Sequence, residues 1–479
     1  NVDSVGVVTA RGLNIIGNTT GLKVASGIST FQAVTGTTGT FSADSTINSV
    51  TVGKGANSQG NNTVLGVNAL DANTTGDFNV AIGLNALTDN TDGFSNTAIG
   101  YEAAPNITSG NNNTAIGRET LFTNILGDRN VAIGYRSLYT YNRSTSHDSY
   151  NVGVGNETLY STTTGANNTA VGGLALYANT TGGSNVAVGY AALDANTTGD
   201  YNVAIGMNAL TAQNAQGYNT AVGANCMQAT TGGQYNAAVG RLALTANTTG
   251  DKLTAIGYNA LGANTTADSN VAVGYQAAFS NTDGNTNTAL GYEALYTNTQ
   301  GDRNTAVGHQ ALYTMNPSGN ADSYNTGVGF YALYANTIGY RNTAVGGLSL
   351  DALTTGNNNT AIGYQAATDR TSGNDNVAVG AYCMNAAATG DNNTSVGKSS
   401  MHDLTSGYNN VALGLNAGFA LTTGYNNVAL GYRALDAATT VHSCVAIGYD
   451  ALGAANTGNS NVAIGRAAMG ANPSGSGTA

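Results

Sequence analysis

The chain has 479 residues and a formal net charge of −11, with 66 glycines, 3 prolines, no tryptophan and only 9% charged residues. An acidic chain without a basic patch is not expected to bind nucleic acid, and no apolar run approaches the roughly 18 residues of a membrane-spanning helix. The apolar residues recur at a fixed spacing, which disordered chains lack.

Residues 1–48 precede any regular repeat and consist of short apolar runs separated by Gly and Thr. This pattern predicts an N-terminal module of short β-strands. Residues 49–61 (SVTVGKGANSQGN) open with a β-branched run and predict a short 13-residue coil that leads into the regular array.

A 17-residue repeat fills residues 62–471, and the copy NVAVGYAALDANTTGDY, from Asn185 to Tyr201, represents it. The array has 24 copies, and all but two of the spacings between them have the 17-residue length. The two exceptions are 21-residue spacings. A fixed period of this size is the signature of a solenoid, so the chain is long because it repeats. Residues 472–479 predict a Gly/Ser tail or linker.

Four positions of the repeat carry most of the structural signal. Position one is almost always Asn (Asn185), position four is Ile, Val or Leu (Val188), position five is always Gly (Gly189), and position nine is Leu or Met in 20 copies (Leu193). Positions two to four predict a short strand of period two. We expect positions four and nine to fill the inside of each coil, Gly189 to turn the chain, and the Asn column to form an amide ladder between coils.

The second half of the repeat is ambiguous, because positions seven to twelve fit either a short strand or a single helical turn. The predicted fold class is therefore mainly β, a repetitive parallel β-roll or β-solenoid with 17-residue coils and an irregular second side. One coil buries few apolar side chains, so the free energy gained by their burial is small compared with the conformational entropy that its backbone loses on folding. We therefore expect a homotrimer, with the small residues of positions three and eight packed near a common axis.

Two insertions and a block duplication interrupt the period. The two 21-residue spacings predict loops at residues 141–150 and 315–324, which are separated by a 174-residue offset. Unusual residues recur at the same offset, as Ala104 does with Ala278, so ten coils and one insertion were copied together. Loops on a rigid scaffold often carry binding residues, and we expect these to be lateral contact sites.

Aromatic residues recur at position ten and predict ladders in a stacked array. They are Phe122, Tyr139, Tyr160, Tyr177, Phe279, Tyr296, Tyr313 and Tyr334. Position six carries a shorter series, Tyr258, Tyr275 and Tyr292. One interpretation is structural, since such rings stack on each other or cover a seam between chains. The other is a groove for sugars, because tyrosine offers an apolar face with a polar tip.

No catalytic or metal-binding arrangement is evident. The four His residues lack metal-ligand spacing with one another or with Cys, and the Asp residues that precede many strands are singly placed. The three Cys residues predict small buried thiols rather than a disulfide framework. We expect no enzymatic activity, no metal and no cofactor.

Two family resemblances follow from these segments. The strand Asn-(Thr/Val)-Ala-(Ile/Val)-Gly resembles the head repeat of trimeric autotransporter adhesins, which implies a left-handed parallel β-roll of three chains that binds host surfaces. The segments DSVGVVTARGLNIIGNTTG and SVTVGKGAN, with the array itself, are similar to tail-fibre-like structural proteins of marine cyanophages. That second resemblance covers nearly the whole chain and implies a virion fibre that contacts a cell.

The sequence thus predicts a structural fibre, on a virion surface or otherwise extracellular. A phage tail fibre or virion appendage reaching toward the host cell is the leading interpretation, and a bacterial surface adhesin or extracellular matrix filament is the alternative. The expected partners are further copies of the chain and a glycan or protein on the host cell, without nucleic acid and without membrane insertion.

Overall fold

A computed structural model describes most of the repeat array. The described residues are 44–47, 49–56, 61–143, 145, 147–319, 321–454 and 457–470. The described residues all belong to one compact unit, which begins at Asp44. The predicted N-terminal module, apart from its last few residues, and the predicted tail lie outside the described residues.

The described residues form an all-β structure without an α-helix. None of the described segments is a helix of the length and apolarity needed to cross a membrane. Two strands come first, β1 (Ser45–Ile47) and β2 (Val50–Gly53). Four two-residue strands lie beside the insertions: β7 (Gly127–Asp128), β9 (His147–Asp148), β19 (Gly301–Asp302) and β21 (Ala321–Asp322).

The remaining strands occupy positions two to four of each repeat. They are β3 (Thr63–Gly66), β4 (Val80–Ile82), β5 (Thr97–Ile99), β6 (Thr114–Ile116), β8 (Val131–Ile133), β10 (Val152–Val154), β11 (Thr169–Val171), β12 (Val186–Val188), β13 (Val203–Ile205), β14 (Thr220–Val222), β15 (Ala237–Val239), β16 (Thr254–Ile256), β17 (Val271–Val273), β18 (Thr288–Leu290), β20 (Thr305–Val307), β22 (Thr326–Val328), β23 (Thr343–Val345), β24 (Thr360–Ile362), β25 (Val377–Val379), β26 (Thr394–Val396), β27 (Val411–Leu413), β28 (Val428–Leu430), β29 (Val445–Ile447) and β30 (Val462–Ile464).

These strands stack in register to form a parallel β-solenoid, which confirms the predicted fold class. The large sheet has 26 strands, of which β1 and β2 precede the coils, so 24 belong to the array. Equivalent residues face each other, as Ala187 does with Ala204. The register holds across both insertions, where Val131 pairs with Val152 and Thr305 with Thr326.

The segment before the array does not continue this parallel stacking. β2 pairs with both β1 and β3 in the antiparallel sense, with Val52 opposite Leu65. Both Asp44 carboxylate oxygens accept backbone N–H groups, those of Lys54 and Gly55, each at 2.6 Å. The described residues 49–56 thus depart from the short coil predicted for residues 49–61, because their strand runs opposite to a coil strand. The hairpin instead covers the first edge of the sheet.

The inside of each coil is lined by position three rather than by position four. Ala187 is fully buried, whereas Val188 is half-buried and Ile205, the next residue in its column, is 40% exposed. The prediction that position four fills the core was wrong. The physical reason lies at position one, where Asn185 is buried and bonded inside the coil. Alternation along the strand then turns position three inward and positions two and four outward.

This phase also overturns the expectation that small columns face a second chain. Ala187 and Ala192, at positions three and eight, lie inside their own coil with no exposed surface. The prediction for position nine is confirmed, because Leu193 is fully buried. The core is therefore built from two alanine columns and one leucine column, which allows the walls of the coil to approach closely.

The second side of the coil is neither a strand nor a helical turn. Positions seven and nine have positive φ in all 24 copies, as in Ala191 (51°) and Leu193 (52°). A right-handed helical turn requires negative φ throughout. The N–H of Leu193 instead donates to the carbonyl of Ala209 in the next coil, at 3.0 Å. Bonds of this kind join the coils on the side away from the sheet.

The two recurrent glycines of the repeat are required for different reasons. Gly189, at position five, has a φ of 134°, and a Cβ there would lie 2.6 Å from the carbonyl carbon and oxygen of Gly206. Gly182, at position fifteen, would place its Cβ 2.6 Å from the carbonyl oxygen of Gly199. Position five needs both an unusual backbone and close approach, whereas position fifteen needs only the close approach.

Buried asparagines tie the coils together along two columns. At position one, Asn185 donates its backbone N–H to Oδ1 of Asn168 at 3.0 Å and its Nδ2 to the carbonyl of Gly199 at 2.8 Å. At position twelve, Nδ2 of Asn196 donates to Oδ1 of Asn179 at 3.0 Å. The first column is an amide ladder of the expected kind. The second column was not predicted, although Asn recurs at position twelve in the sequence.

Candidate functional site

The position-ten aromatic residues form two stacked ladders. In the first, the ring centroids of Phe122 and Tyr139 are 5.0 Å apart, and the next two steps, to Tyr160 and Tyr177, are 5.1 Å each. The second ladder is Phe279, Tyr296, Tyr313 and Tyr334, with steps of 5.4, 5.2 and 5.3 Å. All eight rings are half-buried. Both ladders run past an insertion without a break.

The stacking determines which parts of these rings a ligand could reach. Neighbouring planes are within 20° of parallel, so each inner ring meets another ring on both faces. A sugar packs its apolar face on an aromatic face, and such faces are free only at a ladder end. The arrangement is therefore well suited to holding coils together, and a binding role for the eight residues stays a prediction.

A second set of ladders is more exposed. At position six, Tyr258, Tyr275 and Tyr292 are spaced at 5.3 Å, and His309 and Phe330 extend the series at 4.9 and 5.4 Å. The sequence had indicated only the three tyrosines. Two further stacks, which it did not indicate, lie near the repeat junctions: Tyr201, Tyr218 and Tyr235, and Tyr408, Tyr425 and His442. Coil spacing in the printed sequence was the available signal for each.

A charged cluster lies beside the first ladder. The Glu119 carboxylate, with a side chain only 7% exposed, contacts Arg136 at 2.6 Å and Arg118 at 2.7 Å. The hydrogen bond from Arg136 is the main reason that the pKa of Glu119 is below its usual value. The Arg136 guanidinium also lies over Tyr139, 5.2 Å from the ring centroid. Both guanidinium groups contact the one buried carboxylate, which indicates a structural role for the cluster.

The insertions are ordered corners rather than free loops in their described parts. Their first residues, Tyr141 and Met315, are fully buried at position twelve, where they replace ladder asparagines. Strand β9 pairs with β7, and β21 with β19, both in the parallel sense. The predicted bulges therefore begin only after these buried residues.

Each insertion presents the same exposed cluster of arginine, aspartate and tyrosine. Arg129 forms an ion pair with Asp148 and lies 5.5 Å from the centroid of Tyr150. Arg303, Asp322 and Tyr324 repeat this arrangement, with the guanidinium 5.4 Å from the ring. Because both side chains of each ion pair are about half exposed, the pairs contribute little to stability. The proposed role of the insertions in lateral contact stays a prediction.

Two of the carboxylates that precede strands are bonded within the array, and two of the thiols are buried. Asp128 and Asp302, which precede strands, each accept a backbone N–H from the preceding coil at 2.6 Å. Within the described ranges, no group of three or more His, Cys, Asp or Glu side chains could hold a metal ion. Burial raises the pKa of Cys226 to about 12 and that of Cys383 to about 11, so these thiols stay protonated at neutral pH.

The outer face of the sheet carries an apolar stripe along the array. None of the 24 position-four residues is buried. Ten of them have at least 37% of their surface exposed: Leu65, Val171, Ile205, Val239, Ile256, Leu290, Val345, Ile362, Leu413 and Ile464. We call this column the outer stripe. Continuous apolar surface of this kind commonly marks an interaction site.

No protein-family model matches the chain, and no curated protein matches it.

Proposed function

We propose that the protein is a structural fibre subunit whose solenoid associates with further copies along the outer stripe. The carrying observation is that stripe of Ile, Val and Leu side chains, repeated once per coil on one face of the sheet. Removing apolar surface from water favours association, and the effect scales with the area covered. A regular array repeats the same surface at each step, so that many small contacts add.

A closed assembly of three copies is the proposed stoichiometry. The small columns originally expected at its axis are inside the coils, so the outer stripe takes their place. In a parallel assembly, in-register coils of each copy would present the same apolar residue at the same level. Closed cyclic symmetry would cover the stripe on every copy and leave none exposed for further growth.

A phage tail fibre or virion appendage is the biological setting that we propose. The similarity of the N-terminal segment and of SVTVGKGAN to cyanophage tail-fibre-like proteins supports it. A bacterial surface adhesin or matrix filament is the second candidate, supported by the resemblance of the strand motif to autotransporter heads. Antibodies against the chain distinguish the two, because they would label appendages of phage particles in the first case and the surface of bacterial cells in the second.

Light scattering on the purified chain tests the association. We expect a mass of three chains, which falls to one chain when Ile205, Val239 and Ile256 are all replaced by Lys. The matched control replaces Thr198, Thr249 and Thr266, exposed residues at position fourteen, by Lys. A monomer of the unmodified chain at micromolar concentration, or equal dissociation of the control, would overturn the proposal.

A further inference from the structure

A depression opens at the starting end of the first position-ten ladder. It has a volume of about 260 Å³, and its lining includes Asn85, Asp89, Glu102, Pro105, Asn106 and Phe122. These residues come from three successive coils, at positions seven, ten and eleven. The coils hold them in fixed relation, because Glu102 and its equivalents bond backbone to backbone with the preceding coil, here to Leu84 at 2.9 Å.

Phe122 is the end ring of its ladder, so only one of its neighbours in the column is an aromatic ring. Tyr139 covers one side at a centroid distance of 5.0 Å. On the other side the same column holds Pro105, which is buried. Phe122 and the smaller side chain of Pro105 both line the depression.

The polar lining is rich in hydrogen-bond acceptors and carries negative charge. Glu102 and Asp89 supply two carboxylates, and Asn85 and Asn106 supply two amides. The named lining contains no basic side chain. The neighbouring cation, Arg118, is engaged with Glu119 at 2.7 Å. Such a site favours hydroxyl and ammonium donors and disfavours an anionic ligand.

We propose that this depression binds one pyranose sugar, neutral or bearing an amine. The apolar face of the sugar ring would pack on Phe122, while hydroxyl groups donate to Glu102 and Asp89. An aromatic wall with a few convergent polar groups is the usual composition of a small-molecule site. An amine at the ring would add an attraction to both the carboxylates and the aromatic face.

The site occurs once in the described array, although its surroundings are duplicated. One 174-residue step further on, the equivalents are Ala263 for Asp89, Gln276 for Glu102 and Phe279 for Pro105. Both carboxylates and the short proline are therefore missing from the second block. A single chain carries the complete depression, so the site does not require the self-association proposed above.

Calorimetric titration of the full chain with methyl glucoside, glucosamine and glucuronic acid tests the proposal. We expect methyl glucoside or glucosamine to bind with a stoichiometry of one sugar per chain. We expect the anionic glucuronic acid not to bind. Glu102→Gln and Asp89→Asn keep the shape of the depression, and each should weaken binding by about tenfold, the effect of one lost hydrogen bond to a charged group. Phe122→Leu should weaken it at least as much.

Matched variants keep the result specific to the depression. Glu157 stands at position seven of another coil and Tyr201 in a separate stack near a repeat junction, so Glu157→Gln and Tyr201→Leu should leave binding unchanged. Circular dichroism of every variant confirms the fold. Failure of all three sugars to bind, binding that survives Glu102→Gln and Asp89→Asn, or binding that is insensitive to Phe122→Leu would overturn the proposal. A monomer that still binds sugar would reject only the proposed association.

Discussion

The absence of a Cβ at position five allows successive coils to approach. We predict that Gly189→Ala destabilises the array by more than about 1 kcal/mol, because it adds a clash with Gly206 to an unfavourable backbone angle. Gly173→Ala is the matched control. Its Cβ would meet the Tyr190 ring at 3.6 Å and the carbonyl oxygen of Asn156 at 3.9 Å, which are ordinary contacts. Denaturant unfolding of both variants measures the difference, and equal stability would contradict this account of the glycine column.

Asp351 makes stability depend on pH. It occupies position ten, one coil after Tyr334 in the same column. Burial, with a smaller effect of Asp369, raises its pKa from 3.8 to about 6. A carboxyl group with a raised folded-state pKa stabilises the fold while protonated, and that contribution is lost as pH rises through the folded value. We predict that the unmodified chain loses stability relative to Asp351→Asn between about pH 4 and 6.

Thermal unfolding across that pH range provides the measurement. The variant should gain relative to the unmodified chain as the pH rises, and the gain should level off above the titration. Asp71→Asn supplies the control, since Asp71 occupies position ten of the first coil and is exposed. A constant difference between Asp351→Asn and the unmodified chain across the range would show that Asp351 titrates as it does in the unfolded chain.

At the scale of one strand, β12 provides a direct test of which face is inside. Ala187→Leu adds three carbons to a full interior and should cost about 1–3 kcal/mol of folding free energy. Val188→Leu adds one carbon on the half-exposed face and should change stability by less than about 0.5 kcal/mol. Denaturant titration of the two variants measures both values. A reversed order would restore position four to the core.

The coil could be predicted from the sequence in part. The period, the strand, the turn at Gly189 and burial of Leu193 follow from spacing and residue type. The phase of the strand did not, because β-branched residues were expected inside and Asn185 was not recognised as a buried anchor. The positive φ of positions seven and nine on the second side could not be predicted either, since Leu and Ala rarely adopt positive φ. The available signal for positive φ was the Asn that recurs at position seven, as in Asn208, Asn225 and Asn259, because Asn adopts the left-handed conformation more readily than most residues.

The candidate site was predictable only as far as the period extends. Coil spacing was sufficient to predict the ladders from Phe122 and Phe279. The depression below Phe122 depends on how far Pro105 reaches and on the path of the second side, neither of which spacing describes. Binding sites on a repeat array arise where the columns change, and those changes gain meaning only once the coil geometry is known.

The whole array should unfold in sections, because each coil contacts only its neighbours. Arg370 marks the weakest section. It is fully buried at position twelve, and its Nε has no hydrogen-bond partner among the described residues, although Nη2 donates to the carbonyl of Gly390. Burial lowers its pKa to about 10, so it is still charged at neutral pH. An unpaired buried charge is costly.

We therefore predict fast amide hydrogen exchange in the coils that begin at Asn359 and Asn376. Arg370→Leu should slow that exchange, since Leu353 and Leu404 already occupy the same column elsewhere. The stabilisation should be about 1–4 kcal/mol, the range found when buried charges are replaced by apolar residues. Arg341→Leu, at an exposed site, is the control. Exchange that is uniform along the array, or accelerated by Arg370→Leu, would contradict this prediction.

In-register pairing also has a consequence for how such a gene can change. Successive coils pair in the same register, with Val186 opposite Val203 and Ala187 opposite Ala204. One coil can therefore take the place of another in the stack. Recombination between misaligned repeats would add or remove whole coils without creating a mismatched junction. The block that recurs at the 174-residue offset, insertion included, is the product that such an event would leave. Events of this kind would change the length of the solenoid while the fold stays constant.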